Sequence, residues 1–302
     1  MKKVLGIGAA VLDTIIEMDS YPEEDIKIKA DNVFKTGGGP VSNALVCLAK
    51  LGIEAGYAGI LPNNSDGIYL RDEFNRYGVD TKHVHFANNK SAFTSYIILN
   101  KTKGTRTCVF DRGDIENDPN LVSLDDIDQY SILHLDGNAL PIAKKAIEAA
   151  KASHVKISLD AGTLYPGVDA ILSDIDILIA SEDFARTLTK ESDLVKAVRI
   201  IRELYHPEIL VVTAGKEGGY YLDNDEVHHY NAYRVEAVDT NGAGDTFHGA
   251  FLYAYLNGYT IQEACRFASA TSALKCQKAG MRDALPTKEE ITAFINKGET
   301  LC

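Results

Sequence analysis

AVDTNGAGDTFHGAFLYAYLNG (237–258) closes a strand-like run, Tyr233 to Val238, and continues as a glycine-containing turn and a helix. Phe247, Phe251 and Ala254 fall on one helical face, as a buried stripe requires, and Gly258 is placed as a stop. Gly242, Ala243 and Gly244 then stand at the helix N-terminus. Backbone N–H groups lack helical partners there and the helix dipole is positive, so an anion can bind. Asp245 lies in the first turn beside this candidate anion hole, placed to accept a proton from a hydroxyl. The dipole is expected to keep it ionised. Taken alone, GAGD is more simply a tight turn with a capping aspartate, because short motifs recur by chance.

The same alternation extends outward along the chain. Short apolar runs VLGIG (4–8), AGYAGIL (55–61), SILHLD (131–136), VKISLD (155–160), IDILIA (175–180) and EILVVTAG (208–215) are separated by helical patterns such as NALVCLAKLG, IYLRDEFNRYG, IAKKAIEAAKAS and DLVKAVRIIREL. Several runs are apolar throughout, as strands buried on both faces are. An α/β fold follows, with a mostly parallel sheet and helices on both faces. Two stretches break the rhythm. Residues 13–35 carry IIEMD and DIKIKADNVF, which alternate like a half-exposed sheet; residues 91–112 read as a hairpin about NKTKG. Together they predict a small β lid of the kind that covers a site and excludes water.

Charge narrows the function. With 31 basic and 43 acidic residues the formal charge is −12, which argues against sequence-independent nucleic-acid binding. An anionic ligand stays open, because backbone amides can cradle phosphate on an acidic protein. Cys47, Cys108, Cys265, Cys276 and Cys302 are scattered and odd in number, so reduced thiols and a cytoplasmic location are expected, with Cys302 exposed. Asp13 and Glu17 interrupt the first apolar run, which reads as a strand and not a signal peptide. No run of 18 apolar residues predicts a membrane span.

Three motifs, in order, carry a resemblance. DTNGAGDTFHGAF looks like the C-terminal signature of the ribokinase/PfkB carbohydrate kinase family, and GGGPVSNALVCLAKLG (37–52) like its N-terminal signature. Between them VTAGKEGG (212–219) is similar to the family's nucleotide-side T-x-G-x-x-G. The resemblance spans essentially the whole chain. It implies a single ribokinase-like domain over 1–302, a Rossmann-like three-layer core with a β lid, ATP as donor and Mg²⁺ as its companion. It implies Asp245 as general base and Gly242 to Asp245 as the anion hole. Asp13, Gly38, Gly39 and Asn43 would grip the acceptor, with Thr213, Gly215 and Gly218 lining the nucleotide pocket. The residue types suit these roles. Asp13 is placed to end the first strand, at the sheet edge where α/β folds bind ligands. Gly37, Gly38 and Gly39 would let a sugar lie against backbone, and Asn43 offers both a donor and an acceptor. Alternatively, Asp13 caps a lid turn and Asn43 its own helix.

The chain also departs from the pattern. Where many members carry N-x-x-E after the strand matching IDILIA, it has SEDF, with Ser181 and Phe184 at the motif positions. FASATSALKCQKAGMRDALP (267–286) resembles the ketohexokinase and sulfofructose kinase branch. No convincing arginine lies near HLDGN, where a sulfonate-binding one would fall, which disfavours sulfofructose; with Asp13 and Asn43 holding hydroxyls, a neutral furanose-form ketose with a primary alcohol is the expected acceptor. Some relatives bind potassium beside the anion-hole turn, which here would use Asp239 and the backbone near Asn241. A homodimer through the lid is expected, since open sheets need their apolar face covered. A nucleoside kinase and a catalytically silent sugar or nucleotide sensor are the rival functions.

Elsewhere, His83 and His85 form H-x-H without an acidic neighbour in sequence and read as solvated loop residues. His228 and His229 follow a hairpin turn, and His134 reads as core. His248 either lines the pocket or packs in its helix. Lys27, Lys29, Arg106 and Arg112 fall in the lid, where they would meet an anionic group or simply decorate an exposed face.

Overall fold

The computed structural model describes residues 2–103 and 105–298; Cys302 and the glycine of the NKTKG turn lie outside them. In chain order the first elements are β1 (Lys3–Ile7), β2 (Val11–Met18), β3 (Asn32–Gly38), α1 (Pro40–Lys50), β4 (Glu54–Pro62), α2 (Ser65–Arg76), β5 (Val79–Ala87), β6 (Phe93–Asn100) and β7 (Thr105–Asp111). There follow β8 (Ile132–Leu135), α3 (Leu140–Ala152), β9 (Lys156–Ala161), β10 (Ile177–Ser181), α4 (Glu182–Thr189), α5 (Leu194–Tyr205) and β11 (Ile209–Thr213). The chain ends with β12 (Gly219–Asp223), β13 (Glu226–Tyr230), α6 (Ala243–Leu256), α7 (Ile261–Cys276) and α8 (Lys288–Asn296).

Nine strands form one sheet in the order β13-β12-β11-β10-β9-β8-β1-β4-β5. It is parallel from β11 to β5, and the β12–β13 hairpin is antiparallel. The apolar runs explain why. In β10, Ile177 and Ile179 pack into one apolar core and Leu178 and Ala180 into the other; in β11, Ile209 and Val211 oppose Leu210 and Val212 in the same way. A strand whose residues all find an apolar face must lie between two helical layers. Helices α1, α6, α7 and α8 contribute to one layer, α3 and α5 to the other.

The second sheet has four strands in the order β3-β2-β6-β7. Its register separates two faces. Thr36, Asp13, Ser95 and Phe110 form one row, with Phe34, Ile15, Ile97 and Cys108 beside it. The opposite face carries Lys35, Thr14, Tyr96 and Val109, then Val33, Ile16 and Ile98.

Four local readings are corrected. Asp13 does not end the first strand; it lies within β2, in the small sheet. The DIKIK segment is not a strand, for Ile26 and Ile28 stand exposed with no sheet partner and β3 begins at Asn32. Tyr233–Val238 is not a strand beyond an isolated bridge at Tyr233. The approach to the glycine turn is instead pinned by the Val238 and Asp239 amides, which donate to the Cys276 carbonyl at 2.7 and 3.1 Å. His83 and His85 lie on β5, and His83 Nε2 does have an acidic partner, Asp126 Oδ1 at 3.0 Å, contributed by a distant loop and lying off the hydrogen-bond line.

Candidate active site

Asp245 stands in the first turn of α6, whose N-cap is Gly242 with φ 71°. Only glycine is suited to that position, since a Cβ there would also meet Met281 Sδ at 2.2 Å. The first helical bond runs from the Thr246 amide to the Gly242 carbonyl, so the Gly244 and Asp245 amides precede the helical ladder. The Ala243 amide turns back to the Thr240 carbonyl at 3.2 Å, which leaves the cradle chiefly to the two amides after it. A Cβ on Gly244 would meet nothing within 4 Å: the space in front of the turn is open.

The carboxyl of Asp245 is held by one side-chain hydrogen bond and acted on by charged neighbours. Asn43 Nδ2 donates to its Oδ2 at 2.7 Å, and the charge of Asp160, itself paired with His248 at 3.2 Å, acts on it. Burial first, and then the Asp160 charge, push Asp245 up to about 7, against the Asn43 bond and His248. The helix dipole therefore does not keep it fully ionised, as the sequence had suggested; burial, with the Asp160 charge added to it, wins. Burial would also raise Asp160, but His248 overcomes it and holds that carboxyl low. His134, buried on β8, bonds Ser158 at 3.2 Å and is pushed down to about 3 by burial and His248. His248 thus packs beneath the site, in contact with Asp160.

The small sheet brings Asp13 over α1. Burial raises its carboxyl to about 6, opposed by a 2.5 Å bond from Ser95 Oγ and by Arg282. The glycines before α1 have close protein neighbours: a Cβ on Gly38 would meet Asp13 Oδ2 at 2.0 Å, and one on Gly39 the Ala9 carbonyl at 2.2 Å. Asn43 does not cap its helix, whose N-cap is Gly39; its amide links Asp245 to Arg282, whose Nε donates to Asn43 Oδ1 at 3.1 Å. Ser95 and Arg282 are site neighbours that motif reading missed. Nothing in FTSYIIL marks its serine, whereas an arginine in the otherwise quiet GMRDALP loop is a weak signal.

Thr213 closes β11 at the carboxyl edge of the sheet, its Oγ1 3.4 Å from the Ala180 carbonyl on β10. Gly215 and Gly218 turn the chain there with φ 56° and 84°, and the Ala214 amide closes the turn on the Gly218 carbonyl at 2.8 Å. In SEDF, Ser181 caps α4 by accepting from the Phe184 amide and donates to Gly162, while Glu182 pairs with Arg186 at 3.3 Å. Among the described residues, no cluster of three His, Cys, Asp or Glu could hold a metal. The Asp239 oxygens are already engaged. Lys275, fully buried, donates to its carbonyl at 2.9 Å; its carboxylate accepts from Asn241 and Gly280 amides at 2.8 and 3.1 Å.

Two hollows flank these residues. One of about 180 Å³ opens between the ends of β1 and β8, from which the sheet runs in opposite directions, and that switch point is where α/β folds bind ligands. Gly8, Ala10, Asn138 and Arg112 line it. Arg112 comes from beyond β7, stacks over Tyr165 at 5.1 Å and donates to Asn138 at 3.1 Å. An arginine therefore does reach the HLDGN segment, through space and not along the chain. The other hollow lies between the small sheet and the glycine turn, lined by Phe34, Thr36, Leu99, Asn241 and Arg282. Arg106 spans the same gap to Thr240 Oγ1 at 3.4 Å. A larger groove of about 580 Å³ lies at the opposite edge of the sheet, where its lysines pair with Asp174, Asp176 and Glu208; it has no part in this site.

The chain is similar to known sugar kinases over nearly its whole length. A 5-dehydro-2-deoxygluconokinase of Halalkalibacterium halodurans is 27% identical, with 99% of this chain and 96% of that protein aligned. A ketohexokinase of Mus musculus is 28% identical over 92% of this chain and 97% of its own. The structure of Arabidopsis thaliana ribokinase complexed with ribose and ATP superposes with a TM-score of 0.83 at 24% identity, covering 97% and 98% of the two chains, a likeness of fold. The pfkB carbohydrate kinase family matches residues 1–288, and the chain belongs to that family.

Proposed function

We propose that the protein transfers the γ-phosphoryl group of ATP to a hydroxyl of a sugar, with Asp245 as general base. One observation carries the reading: the buried carboxyl of Asp245 sits in the first turn of α6, beside the Gly244 and Asp245 amides that precede its helical ladder. The acceptor lies between Asp13 and Asp245, and the nucleotide beyond the turn, toward Thr213, Gly215 and Gly218. Asp245 takes the proton of the reacting hydroxyl as its oxygen bonds to the γ-phosphorus and the bond to ADP breaks. Charge on the phosphoryl oxygens meets the Gly244 and Asp245 amides, which need no rearrangement to receive it. Mg²⁺ would be carried on the phosphates, as this ion usually is, and would neutralise their charge; in SEDF, Glu182 and Asp183 lie near the motif but off its positions, and Glu182 pairs with Arg186. The small sheet acts as the lid of a single catalytic unit that works in the cytoplasm.

A panel of ketoses, aldoses, sugar acids and nucleosides with ATP, scored by phosphorylated product, tests this; a ketose with a primary alcohol is the expected acceptor. Sugar acids belong in the panel because Arg112 faces the cavity at the switch point. Nucleoside as the only acceptor, or no product at all, would replace the reading with the nucleoside kinase or the sensor.

Turnover should depend on pH. A base must be unprotonated, so kcat is expected to rise as pH climbs through about 7. A profile flat across that region would remove Asp245 from the role. Monovalent cations find the Asp239 oxygens occupied by Lys275 and backbone amides. Equal rates in sodium, potassium and tetramethylammonium buffers are expected; strong potassium activation would restore a cation site near Asn241.

Two copies pair through their lids. Val33, Tyr96 and Val109 are exposed on the outer face, with Ile16 and Ile98 half-buried among them, and contiguous apolar surface of this kind marks an interface. Light scattering should give a dimer that Val109→Glu converts to monomer; a monomeric wild type would count against the pairing.

A further inference from the structure

We propose that Arg282 is a positioning residue for phosphoryl transfer: through Asn43 it holds the base, Asp245, in its proton-accepting form and orientation. The inference rests on the reading of Asp245 as the base.

Arg282 is fully buried in the loop before α8. Its guanidinium lies over Phe74 at 5.5 Å, and Nη1 is 3.8 Å from Glu73 Oε2. Neither Nη1 nor Nη2 has a hydrogen-bond partner. Retaining an arginine so incompletely paired is costly for stability alone. Gly37 gives it room, since a Cβ there would meet Nη1 at 2.2 Å. Among the described residues, the one hydrogen bond the Arg282 side chain makes runs from Nε to Asn43 Oδ1.

That bond fixes the amide. A guanidinium can only donate, so Asn43 must present its oxygen to Arg282 and its NH₂ to Asp245. Turned the other way, the amide oxygen would face the carboxylate, and Asp245 would keep its proton. In the observed orientation Oδ2 of Asp245 is satisfied and Oδ1 is left for the acceptor hydroxyl. Other charged groups act on the same pair. Asp160, Asp136 and His248 face Asp245, while Glu73, Tyr69, Tyr77 and Asp13 face Arg282. Because Arg282 also acts on Asp13, the test is read on kcat at saturating acceptor.

In Arg282→Met, kcat near neutral pH should fall at least about tenfold, a part of what a general base contributes. The acid limb should move to higher pH, so that activity partly returns in alkali, and the KM for ATP should stay the same. In an Asn43→Ala background, Arg282→Met should cost little more, because the two act as one unit. A variant that melts earlier but keeps kcat per folded molecule and its pH limb would overturn the proposal, as would losses that simply add. If Arg282→Met fails to fold, Asn43→Asp decides: it keeps an acceptor for Arg282 and puts one against Asp245, so the limb must move up. An unmoved limb overturns the relay. Asp245→Asn separates the two levels: if it still turns over, the base assignment falls; if it is silent while the limb stays put in the other variants, only the role of Arg282 falls.

Discussion

Asp245→Asn should fold, bind ATP and transfer almost nothing, with kcat lower by roughly 10²–10⁴, the usual contribution of a general base. The amide has nearly the carboxyl's shape, so the turn and the α6 N-terminus should persist. Its effect on stability has a definite sign. The folded pKa of Asp245, about 7, lies above the ordinary carboxyl value of 3.8. The stability tied to its protonation is therefore full in acid and lost as pH rises through about 7. At pH values above that, the Asn variant should melt no lower than the parent, and a little higher. Inactivity together with an undiminished melting temperature distinguishes a lost base from a damaged fold. Near-normal turnover would refute the assignment.

Asp13→Ala should weaken use of the acceptor at least about tenfold in kcat/KM. A charge-assisted hydrogen bond is worth ~1.5–3 kcal/mol, and about 1.4 kcal/mol is a factor of ten. Ser95 already occupies Oδ1, which leaves Oδ2 as the oxygen able to hold a sugar hydroxyl. Small misplacement of an acceptor is itself costly, so kcat should fall along with affinity. ATP affinity should be nearly unchanged, because the nucleotide lies on the other side of Asp245. Calorimetry on the variant decides the orientation. Loss of ATP binding with sugar binding intact would put Asp13 on the wrong side.

The alternating cores of β10 and β11 were legible because each of their residues is apolar, which only a strand between two layers can satisfy. β5 was not, for VDTKHVHFA is a half-exposed edge strand whose polar residues leave no apolar period. The DIKIK segment misled in the opposite sense: its alternation is real, but no strand lies beside it to be paired. In the site, Asn43 and Asp245 stood in recognisable motifs, and Asp13 was implied by the same resemblance. Their charge states were not. The pKa of Asp245 depends on Asp160 and His248, and the orientation of Asn43 on Arg282, 239 residues away. Likewise Lys275 and Asp239, or Arg112 and Asn138, are joined by the fold and not by spacing. Motif reading finds the groups that react; the groups that set their protonation come from elsewhere in the chain.

The most direct test of the central claim is product stoichiometry with the unaltered protein, ATP and the acceptor that the panel selects. Phosphorylated sugar and ADP should form in equal amounts, and both should vanish together in Asp245→Asn. ADP released without a phosphorylated acceptor, or phosphosugar formed undiminished by Asp245→Asn, would contradict transfer through this site.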